Sequence, residues 1–76
     1  MSDLPQGPGA RVVRALERAG FTQVRQSGSH VSMRHQGDVN RRATVPVHGS
    51  KPVRPGTLRS ILRGAGLTPD ELKKLL

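Results

Sequence analysis

Cysteine, tryptophan and tyrosine are absent from the 76 residues, and Phe21 is the only aromatic side chain. Without cysteine there is no thiolate nucleophile, no disulfide and no thiolate-held zinc or iron–sulfur site. With one aromatic, the chain lacks the stacking platforms on which RRM, cold-shock and most OB domains seat single-stranded bases. Acid is scarce too: five Asp and Glu stand against 13 Lys and Arg, for a formal charge of +8. Long apolar runs are also missing, and none approaches the ~20 residues of a membrane span. The opening Met1-Ser2-Asp3-Leu4-Pro5 is short and polar. It predicts a cytoplasmic protein without a signal peptide or membrane partner.

What remains is a small basic chain. A domain of this size buries roughly 60% of the surface its unfolded chain exposes. That predicts a single domain over residues 1–76 with one thin core. No fold requires such an excess of positive charge, so it points to a polyanionic partner, most often nucleic acid.

Val12, Val13, Leu16 and Ala19 recur at spacings of three and four, with Arg11, Arg14 and Arg18 off the stripe. This is an amphipathic helix that starts after Gly7, with Pro8 in its first turn and Gly20 closing it. From Phe21 the period changes to two. Phe21–Gln26, His30–His35 and Ala43–His48 read as three short strands, separated by Ser27-Gly28-Ser29 and by the Gln36–Arg42 turn. Pro46 favours an edge position. Leu58, Ile61, Leu62 and Ala65 mark a second helix, ended by Gly66. Thr68-Pro69-Asp70-Glu71 then forms a capping box for a third.

The order α-β-β-β-α-α predicts an α+β fold with a three-stranded antiparallel sheet covered by helices on one face. The covered face should carry Val24, Val31, Met33, Val45 and Val47. The opposite face should display His30, Ser32, Arg34, Thr44 and His48.

Between Glu17 and Asp70 the only acid is Asp38. The same stretch holds nine Lys and Arg residues and all three histidines. Arg34, Arg41, Arg42, Lys51, Arg54 and Arg59 are the candidate phosphate contacts, and their number implies affinity that falls steeply with salt. At Gly28-Ser29 a turn of small residues lets an RNA backbone come close to the strand that follows.

The scarcity of acid also bounds the chemistry. No pair of carboxylates is available for glycosidase or aspartic-protease work. Asp38 alone cannot hold the ions of a two-metal nuclease. His35 should point away from His30, so a three-histidine metal site is not expected, and neither is any cofactor. Metal-free cleavage of RNA needs a base for the 2′-OH, cations for the phosphate and a proton donor for the leaving 5′-oxygen. Histidine suits the first and last roles, with a reference pKa of about 6.5. If Val31 pairs with Val47, His30 lies opposite His48, with Cβ atoms about 5 Å apart. A slip of two residues keeps the faces and sets Pro46 opposite His30 instead.

Several of these segments, in order, resemble the HicA toxin family. They are Gly28-Ser29-His30, Thr44-Val45-Pro46-Val47-His48 and Pro55-Gly56-Thr57-Leu58-Arg59-Ser60-Ile61-Leu62-Arg63. The Leu16–Phe21 junction and Ala65-Gly66-Leu67-Thr68 fit as well, so the likeness runs from about Leu4 to Leu76. It implies a double-stranded-RNA-binding-domain-like fold and an endoribonuclease that cuts mRNA independently of the ribosome. The resemblance assigns the catalytic role to His30, and His48 is the candidate second acid or base. It also implies a HicB-type antitoxin partner that covers the active face. Gln6–Ala10 is richer in Gly and Pro than the common family pattern, and the Gln36–Arg42 turn is longer.

Two other readings stand beside this one. A non-catalytic RNA-binding module of the same fold would more naturally carry Lys or Arg where His30 stands. A DNA-binding helix-turn-helix over Leu58–Leu76 would open its recognition helix with Asp70 and Glu71, which phosphates repel.

Overall fold

The computed structural model describes residues 4–76; the polar start Met1-Ser2-Asp3 lies outside them. The elements are α1 (Gly9–Arg18), β1 (Phe21–Ser27), β2 (His30–His35), β3 (Arg42–Pro46), α2 (Pro55–Ala65) and α3 (Pro69–Leu75). The sheet is antiparallel in the order β1-β2-β3. This is the α+β arrangement that the change from helical to strand period predicts.

Each helix boundary has a local cause. Pro8 is the N-cap of α1 and stays extended, so the helix starts at Gly9, one residue later than expected. Gly20, at φ +96°, turns the chain from α1 into Phe21. Gly66 closes α2 in the left-handed region at φ +71°, where glycine carries no Cβ penalty. At α3 the Thr68 hydroxyl accepts from the Glu71 amide, and the Glu71 carboxylate accepts from the Thr68 amide. The Thr68 backbone bond is the first cause holding Glu71 below the ordinary carboxylate range. This capping contribution is therefore present above the unfolded carboxylate pKa and fades as pH falls through the folded one.

One cluster forms the core. Val12, Val13, Ala15 and Leu16 of α1 meet Phe21, Val31, Met33, Ala43 and Val45 of the sheet and Leu58, Ile61, Leu62, Ala65 and Leu72 of α2 and α3. Among the described residues no polar or charged residue is buried.

Two sequence expectations change here. Val24 does not lie on the covered face: Phe21 and Gln23, opposite His35 and Met33, face that side, so alternation turns Val24 to the open face, 53% exposed, and the β-bulge between Gln23 and Arg25 comes after it. An extra residue in one strand shifts every later side chain relative to strict alternation. The β2–β3 register is the slipped one, with Val31 opposite Val45 and His30 opposite Pro46. The turn explains it. The Asp38 carboxylate accepts from the Asn40 amide, and the Asp38 carbonyl accepts from the Arg41 amide. This tight Asx-type turn brings the Arg41 carbonyl to the His35 amide, and turn geometry sets hairpin register. Small Ala43 then faces Met33.

The Gly- and Pro-rich entry to α1 also has a use. The Gly7 carbonyl accepts from the Val53 amide, and Pro8 bridges to Pro52. Gly9 is buried against the Pro46 carbonyl and the Val47 backbone, with no room for a Cβ. Gly9→Ala must push α1 away from the end of β3. It is expected to cost about 1–3 kcal/mol, the range for overpacking. At this chain length that lowers Tm by on the order of 10 °C, read by thermal unfolding; an unchanged Tm would contradict the close packing.

Candidate nucleic-acid interface

Residues 30, 32 and 34 of β2 alternate to the sheet face that the core does not occupy. Each faces a β3 residue on the same side: His30 with Pro46, Ser32 with Thr44, Arg34 with Arg42. The His35 amide bonds the Arg41 carbonyl and the Val47 amide bonds the Ser29 carbonyl. These bonds bracket the three pairs, making all three narrow, non-hydrogen-bonded pairs with side chains held close. In such pairs the backbone N of residue 46 points away from β2, so Pro46 removes no ladder bond. His30, Arg34, Arg42 and Thr44 are exposed. The face is bare, basic and free of carboxylates.

At one end the two exposed histidines meet. Two residues past β3, the His48 ring lies 6.3 Å from the His30 ring, edge to face at 86°. The two side chains converge although the strands do not pair them. Gly28, at φ +58°, and Ser29 form the two-residue turn that precedes His30. Positive φ at the first turn residue alone fits a type II′ hairpin. A Cβ on Gly28 would meet nothing within 4 Å, so the space beside His30 is open to a ligand backbone. On the other side, the Lys51 amide donates to the His48 carbonyl, keeping Lys51 in the turn beside that histidine. Arg54 is the extended N-cap of α2.

At the other end is a groove of about 500 Å³. Its polar lining comes from Ser32 and Arg34 of β2, Arg42 and Thr44 of β3, and Thr57 and Ser60 of α2. The two α2 hydroxyls were not among the expected site residues. Their trace in the sequence is a pair spaced i, i+3 that runs beside the apolar Leu58 and Ile61 stripe. Gly64 sits against the Arg42 carbonyl, which lets α2 lie close along β3 and present them.

Not every expected contact joins this face. Arg41 is engaged within the chain: its Nε donates to the Ala65 carbonyl at 2.7 Å, and its guanidinium lies 5.5 Å over the Phe21 ring. It locks the end of α2 to the sheet on the helix side. Arg59 lines a separate groove with Leu4, Leu62, Arg63, Leu67 and Pro69. His35 points away from His30, as alternation requires, and stacks edge-to-face on Phe21 at 5.0 Å. Among the described residues no three His, Asp or Glu side chains come together as metal ligands. No helix there is long and apolar enough to cross a membrane.

Fold and site together define a class: a small α+β domain with one helix-covered sheet face and one bare basic face ending in paired imidazoles. A family profile described as the HicA toxin of bacterial toxin–antitoxin systems matches residues 9–67. The chain belongs to that family and is the toxin half of a toxin–antitoxin pair. No curated protein matches it.

Proposed function

We propose that this toxin is an endoribonuclease that cleaves mRNA without a metal ion, using His30 and His48 as its acid–base pair. The observation that carries the reading is the 6.3 Å approach of two exposed imidazoles at the end of a carboxylate-free basic face. One imidazole takes the proton from the ribose 2′-OH, and the 2′-oxygen attacks the adjacent phosphorus. The P–O5′ bond breaks, and the second imidazole, protonated beforehand, gives its proton to the departing 5′-oxygen. The products are a 2′,3′-cyclic phosphate and a 5′-hydroxyl, with no water consumed. Lys51, Arg34 and Arg42 supply positive charge along the RNA path, and the Gly28-Ser29 turn admits the backbone to His30. The antitoxin, a HicB-type protein, would inhibit by covering this face.

Purified protein is expected to cut unstructured mRNA in excess EDTA and to leave cyclic phosphate ends, checked by end-labelling and mass spectrometry. Loss of cleavage in chelator with rescue by magnesium would refute the chemistry. Tight, salt-sensitive RNA binding without any cleavage would favour the plain binding module.

A further inference from the structure

The groove between the open sheet face and α2 is distinct from the histidine pair and has chemistry of its own. Arg34 and Arg42 are direct cross-strand partners in a narrow pair. Like charges in such positions destabilise a sheet. No carboxylate lines the groove, and among the described residues neither guanidinium has a hydrogen bond or ion pair within the chain. Ser32, Thr44, Thr57 and Ser60 line the groove with the two cations, above a floor of apolar Val24, Met33, Ala43 and Ile61. The first turn of α2, which carries Thr57, has no side-chain cap and no acidic residue. Its free amides add partial positive charge at that end. Two unneutralised guanidiniums, four hydroxyls and an uncapped helix start are a receptor for one polyoxygen anion.

Strand geometry sets its distance from the histidines. Arg34 is four residues from His30, with Arg42 directly across from it, so the backbone positions of both cations lie about 13 Å along the face. That is beyond the reach of a phosphate held at His30 and suits a neighbouring one. We propose that this groove seats a phosphate flanking the scissile one in a single-stranded RNA, an inference that rests on the endoribonuclease reading. Arg34 and Arg42 clamp the phosphate oxygens from two sides, while Thr57 and Ser60 donate hydroxyl hydrogens to it. The subsite makes cleavage depend on RNA length: a dinucleotide fills the histidine site alone, and a longer strand fills both.

The test uses Arg34→Gln with Arg42→Gln in one chain. Both side chains are exposed, so the variant folds, with a Tm equal to or above the parent's once the like-charge pair is gone. Binding of a 2′-O-methyl RNA hexamer, which cannot be cleaved, is followed by fluorescence anisotropy across salt concentrations. Affinity is expected to fall ten- to a hundredfold. The log–log salt slope should shrink by about 0.7, the value for one neutralised single-strand phosphate. Cleavage of a hexamer should drop at least tenfold more than cleavage of a dinucleoside monophosphate. A companion variant, Thr57→Val with Ser60→Ala, should lose affinity severalfold with the slope intact, because it removes only neutral donors.

An unchanged slope in the arginine variant overturns the subsite. So does an equal loss on both substrates, which would place the arginines at the scissile phosphate. If the parent cuts neither substrate yet the arginine variant still loses hexamer affinity and salt slope, the groove stands and the nuclease reading falls.

Discussion

A His30→Ala protein is expected to keep its Tm, keep most of its RNA affinity and lose cleavage by about 10²–10⁴, the usual range for a missing general acid or base. The thermal expectation follows from exposure. His30 lies on the bare sheet face opposite Pro46 and contributes nothing to the core cluster. Exposed substitutions of this kind stay within about 0.5 kcal/mol. Affinity should fall by one contact at most, since the cations that track the backbone are untouched. His48→Ala should lose rate comparably or somewhat less, because its ring faces the same space from beyond the strand end. Single-turnover cleavage with parallel anisotropy separates these effects. Parental cleavage by a folded His30→Ala variant would remove the mechanism and leave an RNA-binding protein.

The second large effect is on stability. Phe21→Ala should lower Tm by roughly 12–40 °C, at about 4–8 °C per kcal/mol for a chain of this size. Phe21 is among the largest fully buried side chains, at 2% exposure. It also packs against the His35 ring at the end of β2 and the Arg41 guanidinium just before β3. Truncating a buried Phe costs about 3–5 kcal/mol. At 0.05–0.15 kcal/mol per residue, 76 residues hold about 4–11 kcal/mol in total, so the loss takes much of what there is. Phe21→Leu refills most of the volume and should retain a cooperative melt well above that of the alanine variant. A Phe21→Ala melt within a few degrees of the parent would mean that the aromatic is not the keystone of this core.

Much of this was legible in the residues. Helical and strand periods located every element to within two residues, and Gly20, Gly66 and Thr68 mark their own boundaries because their chemistry is local. Arg34, Thr44 and His30 were placed on the right face even though the hairpin register was open. A slip of two preserves faces, whereas a slip of one reverses them. The register itself depended on Asp38, whose turn competes with other closures of the same loop. Val24 went to the wrong face because buried Phe21, and not Val24, sets the phase of β1. Thr57 and Ser60 were out of reach for a different reason: their role comes from α2 lying along β3, a packing made possible by Gly64. The His30 and His48 rings converge through the chain path after Pro46 and not through the strand pairing that would have set them opposite each other.

The two outer edges of the sheet have been treated unequally. Along β3 the outward carbonyls of Arg42 and Pro46 are covered, one by Gly64 of α2 and the other by Gly9 of α1. Along β1 the outer edge carries no strand partner, and an unpaired edge is a template on which copies of a chain can stack into aggregates. The bulge between Gln23 and Arg25 twists that edge out of regular spacing, and Arg25 places a cation on it. A second copy approaching there meets an irregular ladder and the repulsion of two chains at +8 each. The bulge thus works against edge-to-edge pairing of two copies along β1.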